Sequence, residues 1–299
     1  MPLAALAAAM PLAACGADFA GATPPGVVAV VAAESVWGSL AAQLGGAHAE
    51  VTSLVSNPDT DPHAYEPTAA DARAVAEAQY LVVNGAGYDT WAPRLAGANP
   101  ADGRLTLTVA DIAGRRQGDN PHMWYSPAIV LQVVQRITAD LERLDPADAA
   151  YFEQRQADFT GRALARYDDL RSTIRARFQG TPVGATESVV VDLASDLGLD
   201  LLTPAGYLRA VAEGDEPTTQ DRTTVERQVE QRRIRVLVYN RQNSTPDIQA
   251  LVEAARARHI PVVAVTETPD PATASFQDWQ SGQLAALQQA LAAATGGAA

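Results

Sequence analysis

The stretch Val27-Val28-Ala29-Val30-Val31, with Glu34-Ser35-Val36-Trp37-Gly38-Ser39-Leu40-Ala41-Ala42-Gln43-Leu44 close behind it, decides the fold class. A short apolar run reads as a buried strand, and the amphipathic segment after it reads as a helix. The same alternation recurs downstream. Val51–Val55, Tyr80–Val83 and Leu105–Thr108 read as strands, and Thr68–Ala78 as a helix that Thr68 caps with Asp71 completing a capping box. Alternating strands and helices predict an α/β architecture.

A longer helix follows. Ser126 stands at its N-cap and Pro127 at its first position, where the missing N–H of proline costs nothing. Ile129, Val133, Ile137, Leu141 and Leu144 form one apolar stripe along it. Asp145-Pro146 opens a further helical stretch to about Phe178. Strand-like runs then recur at Pro182–Ala185, Leu199–Leu202, Val236–Tyr239 and Val262–Val265, with helices near Pro217–Arg232, Pro246–Arg258 and Ser275–Ala293. The pattern predicts an N-terminal α/β lobe over 27–125, a connecting helix over 126–144 and a C-terminal α/β lobe over 145–299.

The chain's 299 residues are enough for one large domain or two of ordinary size. The composition is globular, 47% hydrophobic and 19% charged, and the net charge of -13 argues against nucleic acid as a partner, since a phosphate backbone needs a basic face. One cysteine, Cys15, excludes an intrachain disulfide. Pro2–Ala14 is too short an apolar run to span a bilayer, which takes about 20 residues, but suits a signal-peptide core. Leu12-Ala13-Ala14-Cys15-Gly16 resembles a bacterial lipobox, although no Lys or Arg precedes Cys15. Residues 1–15 are therefore expected to be a lipoprotein signal segment with Cys15 as the lipidation site, and the Gly-, Ala- and Pro-rich 16–26 a flexible tether.

Two of the four histidines sit behind prolines in loops that follow strand regions of the first lobe. They are His63, in Asp61-Pro62-His63-Ala64-Tyr65-Glu66-Pro67, and His122, in Asn120-Pro121-His122-Met123-Trp124-Tyr125. A proline restricts the backbone before each imidazole, so little entropy remains to be lost on binding. His48 and His259 read as surface or cap residues. Two nitrogens do not complete a transition-metal shell, which takes four or more donors. The second lobe offers carboxylates at equivalent places: Glu187 follows the strand Pro182–Ala185, and Glu267 follows Val262–Val265. Ligands of open α/β sheets bind beyond the carboxyl ends of the strands, so all four side chains fall on that edge. Each glutamate also suits a helix N-terminus, and Asp270 competes with Glu267 for the fourth place.

Asp61-Pro62-His63, Asn84-Gly85-Ala86-Gly87-Tyr88-Asp89-Thr90-Trp91, Asn120-Pro121-His122-Met123-Trp124-Tyr125, Thr186-Glu187 and Thr266-Glu267-Thr268 occur in that order. Together they resemble the zinc/manganese-specific solute-binding lipoproteins of ABC importers, the cluster A-I or TroA-like family, over nearly everything after residue 26. The resemblance implies two lobes bridged by a single long helix, with a divalent ion in the cleft between them. It implies His63, His122, Glu187 and Glu267 as metal ligands, Glu267 standing where the family usually has Asp. It further implies Zn²⁺ or Mn²⁺ as cargo, a membrane permease as partner, a monomer, and anchorage outside the cytoplasm by an N-terminal lipid. Carboxylate in place of imidazole hardens the site and leans toward manganese, whereas intrinsic affinity runs toward zinc. A metal-dependent hydrolase is the rival reading. His63-Ala64-Tyr65-Glu66 lacks the His-Glu-x-x-His spacing that sets two ligands on one helix face, and four protein ligands would close the open position that catalysis needs. The expectation is a binding protein, not an enzyme; a surface adhesin of the same fold is the other alternative.

Overall fold

The computed structural model describes residues 26–296 apart from 59, 61, 63 and 64. Cys15, the leader before it and the tether up to residue 25 lie outside the described residues. The first part of the chain forms β1 (Val28–Glu34), α1 (Ser35–Gly45), β2 (Ala49–Val55), α2 (Ala69–Glu77), β3 (Tyr80–Val83), α3 (Trp91–Ala98), β4 (Leu105–Thr108) and α4 (Val109–Ala113). Three helices follow, α5 (Pro127–Leu144), α6 (Ala149–Asp158) and α7 (Ala165–Phe178). The remainder is β5 (Pro182–Ala185), α8 (Val191–Asp196), β6 (Asp200–Leu201), α9 (Ala205–Ala212), α10 (Thr219–Glu230), β7 (Val236–Asn240), α11 (Pro246–Ala257), β8 (Val262–Val265) and α12 (Phe276–Thr295).

Two parallel four-stranded sheets result, in the orders β2-β1-β3-β4 and β6-β5-β7-β8, the same topology twice. Both faces are covered by helices, so the strands read as nearly continuous apolar runs. Successive side chains still alternate between faces. Val28, Val30 and Ala32 join one core, and Val31 and Ala33 another on the opposite face; Tyr80 and Val82 separate from Leu81 and Val83 in the same way. In the second sheet Val236 and Val238 face the first core, while Leu237 joins Val225, Ile234 and Val252. That first core is continuous between the sheets, running from Trp37 through Trp124, Ile137, Phe152 and Tyr167 to Trp279.

Local signals hold at several helix starts. Thr68 and Asp71 form the expected reciprocal capping box, and Thr218, Thr245 and Ser275 each accept a backbone N–H as N-caps. Ser126 occupies the N-cap of α5, but its side chain makes no capping bond there. The bridge between the sheets also departs from expectation. α5 packs on α1, α4 and α6, all on the side of the first sheet, instead of crossing to the second. α6 packs on α1 and α5, whereas α7 packs on α12, which covers β7 and β8. The run Ala149–Phe178 therefore passes from one sheet's helical layer to the other's, with a π-helical turn at Phe159–Ala163 near its middle. Sequence periodicity saw both helices but had no information on which one crosses, because packing partners are non-local.

Candidate metal centre

Among the described residues, His122, Glu187 and Glu267 bring one ligand atom each to within 4.8 Å of the others, all three side chains buried. Glu187 and Glu267 arrive just beyond the carboxyl ends of β5 and β8, and His122 from the segment after α4. His122 follows Pro121 and opens the 3-10 turn Met123–Tyr125. Glu187 lies between β5 and the 3-10 turn Ser188–Val190, and Glu267 lies beyond β8.

The imidazole is held on both sides. Its Nδ1 lies 2.8 Å from Asn120 Oδ1, which also accepts the His122 backbone N–H at 3.2 Å. Asn120 Nδ2 donates to the Ser188 carbonyl at 3.1 Å, so the amide's carbonyl is the end that faces the ring. In the neutral ring Nδ1 is then the protonated nitrogen, and Nε2 is the one that faces the carboxylates, 3.3 Å from Glu267 Oε2, to which it donates once protonated. Trp124, fully buried, packs edge-on against the ring with centroids 5.4 Å apart, and Tyr88 packs against both. Trp37 closes the stack below, its indole N–H donating to Asn84 Oδ1 at 3.1 Å.

The glutamates are equally constrained. Asn240 Nδ2 donates to Glu187 Oε1 at 2.7 Å and to Glu267 Oε1 at 2.6 Å. Asn243 Nδ2 donates to Glu187 Oε2 at 2.9 Å, and the Tyr88 hydroxyl to Glu267 Oε2 at 2.7 Å. Gln242 accepts the Glu267 backbone N–H through Oε1 and donates through Nε2 to the Pro58 carbonyl, on the loop that leads to His63.

The charges of the cluster shift the proton affinities of Glu187 and His122. Burial raises the Glu187 carboxyl and the neighbouring Glu267 charge raises it further, to about 7. Burial alone would lower the His122 imidazole, but Glu267 and Glu187 more than reverse this and hold it above its usual range. A site that binds protons this readily at neutral pH is under-compensated in positive charge. Imidazole nitrogen and carboxylate oxygen are the donors that a divalent transition ion takes, so the residues present fit such an ion.

Of the sequence candidates, His122, Glu187 and Glu267 come together; His63 lies outside the described residues. Its neighbours in sequence are anchored: the Pro62 carbonyl accepts the Trp91 indole N–H at 3.2 Å, and Tyr65 packs on the Trp91 ring. Asp270 is apart from the cluster, 37% exposed and paired with Arg241. His48 pairs with Asp148 at 2.8 Å on a partly exposed face and packs on Tyr151. The amides of Asn120, Asn240, Gln242 and Asn243 escaped sequence reasoning. Tyr239-Asn240-Arg241-Gln242-Asn243, three amides in a row of five residues at a strand's carboxyl end, was the available signal.

Residues 30–290 match the family described as ZnuA, zinc-uptake complex component A, periplasmic. The chain is 30% identical over 148 residues to the manganese-binding lipoprotein MntA of Halalkalibacterium halodurans, covering 46% of this chain and 47% of that protein. It is 20% identical over 197 residues to the high-affinity zinc uptake system protein ZnuA of Bacillus subtilis, covering 60% of each. The match thus spans about half the length of the first of these curated relatives. In fold, the chain is similar to a Mn-bound periplasmic metal binding protein from Candidatus Liberibacter asiaticus, with a TM-score of 0.71 at 18% identity over 88% of this chain and 98% of that one.

Proposed function

Because the chain belongs to the family of periplasmic zinc-uptake components, we propose that it captures one divalent transition-metal ion, Zn²⁺ or Mn²⁺, outside the cytoplasm and delivers it to the permease of an ABC importer. The observation that carries the reading is the buried His122–Glu187–Glu267 cluster, drawn from the segment after α4 and from the loops beyond β5 and β8. Such a cluster is costly to bury unless a cation compensates it. His63 is the proposed fourth ligand, which would close the shell with protein donors and leave no position for a substrate. On that ground the role is binding, not catalysis.

Among the described residues no helix is long and apolar enough to cross a membrane. We assign membrane attachment to a lipid on Cys15, with the folded part acting as a monomer. Detergent partitioning that is lost in Cys15→Ser tests the anchor.

The decisive experiment is metal analysis of protein purified without chelators, followed by titration with Zn²⁺ and Mn²⁺. One equivalent of ion, with a raised melting temperature as mass action requires of a ligand bound only to the folded state, is the expected result. Retention of that shift in His63→Ala, His122→Ala and Glu187→Ala alike would remove the site.

A further inference from the structure

We propose that Asn240 is a positioning residue that biases the site toward zinc, by tying one oxygen of Glu187 and one of Glu267 to a single amide and so keeping both carboxylates from chelating. The inference rests on the metal-capture reading above and names the ion within it.

Strand order puts Asn240 where it can do this. β7 lies between β5 and β8, so its last residue stands between the loops that carry Glu187 and Glu267. Two-residue periodicity sets Asn240 on the same face as Val236 and Val238, and its side chain is fully buried. An amide NH₂ has two protons. One goes to Glu187 Oε1 at 2.7 Å and the other to Glu267 Oε1 at 2.6 Å. The carbonyl end accepts the Gln242 backbone N–H at 3.0 Å. The reverse orientation would aim the amide oxygen at two carboxylates and its NH₂ at an N–H donor, so the hydrogen-bond network permits only this one.

The arrangement restricts how an ion can be held. An ion on either Oε1 would sit beside amide protons that carry partial positive charge. Glu267 Oε2 already faces His122 Nε2 at 3.3 Å, so that oxygen is the one turned to the site. On the Oε2 side each carboxylate meets its own single donor, Asn243 for Glu187 and the Tyr88 hydroxyl for Glu267, whereas on the Oε1 side both converge on one NH₂ and are pinned together. One oxygen from each glutamate and one imidazole nitrogen make three donors, and a fourth completes a tetrahedron. That is the shell zinc accepts, whereas manganese favours six oxygen-rich positions. Carboxylates released from Asn240 could swing to offer both oxygens and raise the count.

The test compares wild type, Asn240→Ala and Asn240→Ser, the last retaining one donor. Zn²⁺ and Mn²⁺ affinities are measured by competition, and coordination number by X-ray absorption of each loaded protein. Apo melting and circular dichroism report folding, with Asn240→Ser carrying the test if the alanine variant fails to fold. The expected result is four-coordinate zinc in the wild type. Zinc affinity should fall about 10–100-fold on loss of the amide, the range for removing a partner behind a metal ligand. Manganese should lose less, so that the zinc-to-manganese ratio narrows by at least about tenfold. Equal losses for both ions with an unchanged coordination number would overturn the proposal and leave the metal-capture reading intact. A wild type that binds neither ion would overturn both.

Discussion

The Tyr88 hydroxyl, on the loop after β3, donates to Glu267 Oε2 at 2.7 Å, joining residues 179 positions apart. Neither partner is exposed, and the bond links the edge of the first sheet to that of the second. A phenol that donates to a carboxylate both orients that side chain and resists separation of the two edges. Tyr88→Phe keeps the ring stack against Trp124 and His122 and removes only the donor. It should weaken zinc binding about tenfold, the lower end for a partner behind a ligand, and lower apo stability by about 1.5–3 kcal/mol. Calorimetric titration and urea denaturation read the two effects; an unchanged zinc affinity would show that the hydroxyl does not position Glu267.

The titration of the cluster has a definite sign. Glu187 and His122 hold protons more tightly folded than unfolded. Their contribution to apo stability is fully present below the unfolded values and lost as pH rises through the folded ones, about 7 for Glu187. Metal binding runs oppositely, because the same protons must leave before an ion enters. The apo melting temperature should therefore fall from about pH 5.5 to 8 while the increment due to zinc grows. Glu187→Gln should flatten the apo slope. An increment independent of pH over that interval would mean that neither group binds the ion.

Glu267 and Asp270 were rivals for one place, and their surroundings differ. Glu267 is buried against His122 Nε2, whereas Asp270 pairs with Arg241 at the surface. Glu267→Ala should lose more zinc affinity than the ~10–100-fold that follows removal of an outer partner. Asp270→Ala should stay within about twofold, in keeping with the small worth of an exposed ion pair. The reverse order of the two variants in a competition assay would give the place of Glu267 to Asp270.

Beneath the loop that carries Tyr88, Asp89 accepts the backbone N–H groups of Asn84 and Gly85 at 2.7 and 2.8 Å. The Glu34 carboxyl lies against it, pushed well above its ordinary value by burial and then by the charge of Asp89. Burial and the Asp89 charge both favour the protonated Glu34 carboxyl, so Glu34→Gln should change stability by less than about 1 kcal/mol and leave zinc titration unaltered. Asp89→Ala strands one buried and one half-buried donor and should cost about 2–4 kcal/mol. Denaturant midpoints of the pair decide this; equal destabilisation by both variants would mean that an amide does not replace the Glu34 carboxyl.

The amino-acid sequence by itself determined whatever depends on neighbours along the chain. Strand runs such as Tyr80–Val83, the Thr68–Asp71 capping box, the prolines before His63 and His122, and the glutamates just past β5 and β8 are legible because each rests on local geometry. Parallel strands place their loops at one edge, so the placement of His122, Glu187 and Glu267 on the ligand-bearing edge followed from the same information. Which strand lies between which is set by pairing across long separations, and no local pattern encodes it. Only the tertiary structure could put Asn240 between the two glutamates, bring Tyr88 to Glu267, separate Asp270 from the cluster, and route the crossing through Ala149–Phe178 instead of Pro127–Leu144. The raised proton affinity of Glu187 belongs there too: it arises from desolvation and a neighbouring charge, neither of which exists until the sheets have met.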